Sequence, residues 1–181
     1  MIPEILSNGY ERALHILSQP LHNENLLWIL VPLFLALILM ELYFGRYEKE
    51  ELGWNTAFGN SLILIFVSAN LVNHLINNNL WTDPVKAGVV FTLLILGFIL
   101  TLLDYFHALP EKLAFTVSSK FPISFIAFLA ILFVYIDIPI DTTTLLSLGL
   151  IFIAAYLIIS LVHFLTPTFH GLMSQEVPDP E

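Results

Sequence analysis

Cysteine is absent from this 181-residue sequence. That excludes a disulfide framework, a thiolate metal site and a cysteine nucleophile. Basic residues are almost as scarce: six Lys and Arg against fifteen Asp and Glu, for a net charge of −9. Six cations give no basic stripe, so nucleic acid is not an expected partner. Anionic lipid headgroups gain nothing from this balance either. Charged residues of all kinds reach only 12%, against about 25% in ordinary soluble domains. No Asn-x-Ser/Thr sequon occurs. No Gly-rich phosphate loop, GxSxG elbow, kinase signature or HExxH zinc motif occurs. Internal repeats and GxxxG stripes are missing too. The start of the chain does not read as a signal peptide, because Pro3, Glu4, Asn8, Glu11 and Arg12 interrupt it.

What is present is apolar. Hydrophobic residues make up 57% of the chain. A domain of roughly 150 residues hides only about two-thirds of its surface. The remaining apolar surface must face something apolar, and a lipid bilayer is the natural partner. The expected fold is all-α: a polytopic transmembrane helical bundle.

A helix needs about 20 mostly apolar residues to cross a ~30 Å hydrocarbon core. Five stretches qualify, over about 26–44, 57–76, 85–106, 121–136 and 142–165. Asn23, Glu24 and Asn25 offer caps to the first, Asp83 before Pro84 to the third, and Asp141 to the fifth. The fourth is short, and residues 113–120 extend it if the chain bends at Pro122. Together 23–170 form the bundle, and 171–181 an acidic tail.

Residues 1–22 differ. Ile2, Ile5, Leu6, Tyr10, Ala13, Leu14 and Leu17 recur at helical spacing, with Glu4, Glu11, Arg12 and Ser18 between them. The pattern fits an amphipathic helix in the membrane interface. It fits a helix packed on the bundle equally well.

Orientation follows from Lys and Arg. With five spans, Arg46 and Lys49 after the first and Lys112 and Lys120 after the third fall on one side. Arg12 and Lys86 are the exceptions. The richer side is expected to be cytoplasmic, with the N-terminus outside and the C-terminal tail inside. The lack of signal, sequon and cysteine points to the plasma membrane of a prokaryote.

Polar side chains within the spans carry the functional information, since lipid disfavours them. On the second span Thr56, Asn60, Asn70, His74 and Asn77 share an arc of about 100°. This face could line a path for an ion, water or a small substrate. Interhelical hydrogen bonding accounts for it more simply. No carboxylate lies mid-span, which counts against cation transport. A second group gathers at the expected cytoplasmic side: Asp104, His107 and Glu111 at helical spacing, with His163 and His170 at the end of the fifth span and Glu41 at the end of the first. Carboxylates and imidazoles could hold a divalent metal that activates water. Capping and ion pairing, for instance of Asp104 or Glu111 with Lys112 or Lys120, explain them as well. The charged stretch Gly45–Asn55 reads as a solvated turn, with Tyr43, Trp28, Trp54 and Trp81 as aromatic anchors at headgroup depth.

Three functions remain, in this order. The first is a non-catalytic membrane protein, a subunit of a homo- or hetero-oligomeric assembly whose partners are lipid and other membrane chains. The second is a small oligomeric channel or carrier using the second-span face. The third is a metal-dependent membrane enzyme.

Overall fold

The computed structural model of the protein describes residues 2–46 and 53–165, all of them helical or in short connections. Seven α-helices follow one another among these residues: α1 Ile2–Ser18, α2 Glu24–Arg46, α3 Trp54–Asn77, α4 Pro84–Tyr105, α5 Glu111–Val117, α6 Lys120–Tyr135 and α7 Thr142–Leu165. Four of them, α2, α3, α4 and α7, are long and apolar enough to cross a membrane. The pair α5–α6, bent by 40°, makes a fifth if it is taken as one span. The acidic tail, His170 and residues 47–52 lie outside the described residues.

Side chains define several helix starts. Asn23 Oδ1 accepts from the Leu26 N–H at 3.1 Å. Asp83 Oδ1 accepts from Val85 and Lys86 at 2.9 and 3.2 Å, with Pro84 at the first helical position, where its missing N–H costs nothing. Asp141 Oδ1 accepts from Thr144 at 2.7 Å. Each cap satisfies an N–H that the helix itself leaves free. The break between α5 and α6 falls at Ser118 and Ser119, not at Pro122, which is tolerated in the first turn of α6.

The shortest of the candidate spanning elements, α6, occupies the centre. Ile123, Ala127, Ile131, Leu132 and Val134 are buried on it, and it packs against α2, α3 and α4. In lipid there is little hydrophobic drive between helices, so close packing of small residues holds them together. Ala127 and Ala130 do this on α6. Gly97 does it where α4 meets α3: a Cβ there would lie 3.0 Å from Leu64 Cβ and 3.1 Å from the Ile65 backbone nitrogen. α2 and α3 both lean on α6, which leaves a seam between them.

α1 packs on the bundle along one edge. Gly9, Ala13 and Ile16 are buried, and Gly9 sits against Leu146 of α7. Ser147 Oγ donates to the Gly9 carbonyl at 2.9 Å. Arg12 Nη1 reaches both Asp141 oxygens at 2.7 and 2.6 Å and Thr144 Oγ1 at 2.9 Å. Ile5, Leu6, Tyr10, Leu14 and Leu17 remain exposed on the neighbouring arc. The helix is therefore fixed to the bundle along one edge and presents large apolar groups along the next.

Candidate functional site

The seam between α2 and α3 is polar at both ends. At the end shared with α1, Asn70, Asn73, His74 and Asn77 of α3 face Asn25 and Trp28 of α2 and Tyr135 of α6 across a groove of about 710 Å³. The His74 ring stacks on Tyr135 at 3.9 Å and 26°. Asn70 Nδ2 donates to the Phe66 carbonyl at 3.0 Å and Asn77 Nδ2 to Asn73 Oδ1 at 3.2 Å. These amides turn some of their capacity back onto α3 while lining the groove.

At the opposite end a smaller cavity of about 180 Å³ lies among Glu41, Thr56, Asn60, Ser118, Lys120 and Tyr156. Asn60 is only 2% exposed. Its Nδ2 donates to the Ser118 carbonyl at 2.9 Å. A carbonyl partner fixes which way the amide points, so Oδ1 is the acceptor left over. That buried oxygen has no hydrogen-bond partner among the described residues. Lys120 Nζ pairs with Glu41 at 3.3 Å, with side chains 8% and 5% exposed, and lies 4.8 Å over the Phe44 ring. The two ends are separated on α3 by Ile63, Phe66 and Val67. Asn60 and Asn70 are ten residues apart, about 15 Å along a helix.

The polar face expected on the second span is thus divided. Asn70, His74 and Asn77 share one groove, while Asn60 belongs to the other cavity.

Asp104, His107 and Glu111 do not share a helical face. α4 ends at Tyr105, His107 turns with φ 51°, and Glu111 opens α5. Asp104 points inward, 1% exposed, with Ser61 Oγ of α3 at 2.5 Å. His107 stacks on Trp54 at 4.1 Å. His163 belongs to α7, but its side chain is not among those described, and His170 lies outside the described residues. Among the described residues no three His, Asp or Glu side chains gather to hold a metal. Lys120, counted above as a loop charge and as a partner for Asp104 or Glu111, is buried and paired with Glu41 instead.

Sequence reasoning missed the residues that join the helices. Ser61 links Asp104 to Ser118, whose Oγ lies 3.3 Å away. Tyr135 backs His74. One signal for the first was present: Gly97, Thr101 and Asp104 stand at i, i+4 and i+7 on α4, a stripe of small and polar residues suited to a helix interface. No protein-family model matches this chain, and no curated protein or solved structure matches it.

Proposed function

We propose that the protein is a non-catalytic channel or carrier for a small polar solute or ion, working as a subunit of an oligomeric membrane assembly. The observation that carries this is Asn60: a buried amide whose oxygen lacks a partner among the described residues, in a cavity it shares with the Glu41–Lys120 pair. Polar groups within spanning segments are costly and mark solute pathways more often than lipid-facing surface does. The second polar groove on the same seam, whose lining runs from Asn77 back to Ile63, gives the opposite entrance.

The oligomer follows from the groove. Asn70, Asn73 and Asn77 are exposed beside apolar side chains, and a second chain laid against the seam would remove them from lipid. Five helices are also few for a monomeric carrier made of two repeats. A prokaryotic plasma membrane is the proposed location. Arg46 and Lys112 mark the cytoplasmic end, although Lys120 adds nothing there because it is paired inside the bundle. The metal-enzyme reading has no supporting cluster among the described residues.

The test is osmotic swelling of proteoliposomes followed by light scattering, with a panel of small neutral and ionic solutes. The wild-type protein is expected to admit at least one solute faster than protein-free vesicles. Asn60→Leu is expected to slow it several-fold while the oligomer persists in native mass spectrometry. Vesicles no leakier than protein-free ones to every solute would contradict the proposal.

A further inference from the structure

Asp104 presents a problem of charge. Its carboxylate is 1% exposed inside an apolar bundle. It stands one residue from the end of α4, where the helix dipole is negative and disfavours an anion. No ion pair involving it forms among the described residues. Lys120, the cation at the start of α6, is held by Glu41. Oδ2 is met by Ser61 Oγ at 2.5 Å. Among the described residues Oδ1 has no partner, and neither has Thr101 Oγ1, one turn earlier on the same face of α4. An isolated buried charge is not sustained without compensation.

We infer that Asp104, Thr101 and Ser61 bind a monovalent cation, sodium, between α3 and α4. The donors are all oxygens, the ligands of hard cations. One carboxylate with two neutral hydroxyls balances a single positive charge, whereas a divalent ion would leave charge uncompensated in lipid. The end of α4 supplies negative dipole toward the same point. The break between α5 and α6 lies alongside, with Ser118 Oγ 3.3 Å from Ser61 Oγ, and interrupted helices are where membrane carriers hold coupling ions. Ser61 is on a different flank of α3 from the seam, so the site stands whether or not the seam passes a solute. The carboxylate that the second span lacks is thus brought to it by α4.

The experiment is equilibrium binding of radioactive sodium to the full-length protein in detergent, at constant ionic strength with choline as the replacement cation. Saturable binding of one sodium per chain is expected. Asp104→Asn should abolish it, and Thr101→Val should weaken it roughly tenfold, as loss of a supporting oxygen typically does. Asn70→Ala, in the outer groove, should leave it unchanged. Thr101→Val keeps the shape of the side chain and serves as the decisive variant if Asp104→Asn does not fold. No saturable binding to the wild type, or binding that survives Asp104→Asn, would overturn the inference. So would a wild-type melting temperature that follows pH and ignores sodium, because the compensating ion would then be a proton.

Discussion

Glu41 and Lys120 are both shut away from their surroundings, and each makes the other tolerable. Desolvating two ions costs several kcal/mol apiece, which their attraction offsets only while both are present. Glu41→Gln should therefore destabilise the bundle by about 3–5 kcal/mol, the usual cost of stranding one buried charge. The double variant Glu41→Met, Lys120→Met should lose much less, since it removes both desolvation costs together. Thermal unfolding in detergent compares the two, and a double variant as unstable as the single would show that the pair itself holds the helices. This partnership was not legible in the sequence. Lys120 stands next to Ser118 and Ser119 and reads as a loop cation, and its partner is about eighty residues away on another helix. Asp104 was visible as a polar residue at a span end, but its direction depends on where α4 stops. Spacing puts Asp104, His107 and Glu111 on one face only if the helix runs on past 106, which Pro110 disfavours, and the chain leaves it through the left-handed turn at His107.

Among the elements, α1 is held by few polar contacts and most of them meet at Arg12. The Arg12 guanidinium, which donates to Asp141, together with the Thr144 N–H, holds the Asp141 carboxyl below the usual carboxylate range. A carboxyl depressed in the folded state stabilises that state fully above its unfolded pKa of about 3.9 and loses the contribution as pH falls through the lower folded value. Acidification below about pH 4 should thus loosen α1 from α7 before the bundle opens. Hydrogen exchange, corrected for intrinsic rates, should show falling protection in residues 5–18 as pH drops through this range. In Arg12→Leu that protection should already be low at neutral pH. Protection in α1 that ignores both changes would mean that Gly9, Ala13 and Ile16 suffice to dock it. The apolar stripe of α1 was readable from spacing. Its division into a packed edge and an outward edge was not, because periodicity gives the width of a face and not what covers it. Helix starts were readable because caps are local chemistry: Asp83 with Pro84, and Asp141, act within three residues of themselves. The break before α6 was misplaced because Pro122 is the obvious breaker by composition, while the chain bends one turn earlier at two serines.

At the scale of the whole molecule, the membrane character follows from composition, which is a sum over all residues and survives errors about any one. The seam does not follow from composition. It exists because α6 stands between α2 and α3 and keeps them from closing on each other. No pattern on a single helix reports such an arrangement, so Asn60 and Asn70 looked like one polar stripe when they belong to two compartments. The absence of cysteine makes this directly testable, because any introduced thiol is the only one. Single cysteines at Thr56, Asn60, Asn70 and His74 can be challenged in sealed vesicles with a membrane-impermeant, water-requiring thiol reagent from either side. Ile95 and Phe98, exposed on the outer surface of α4, serve as lipid-facing controls. Asn70→Cys and His74→Cys should react from one side, Thr56→Cys and Asn60→Cys from the other, and the controls from neither. If Asn60→Cys and Asn70→Cys resist the reagent as fully as Ile95→Cys does, the seam is dry and the protein is not a channel or carrier along it.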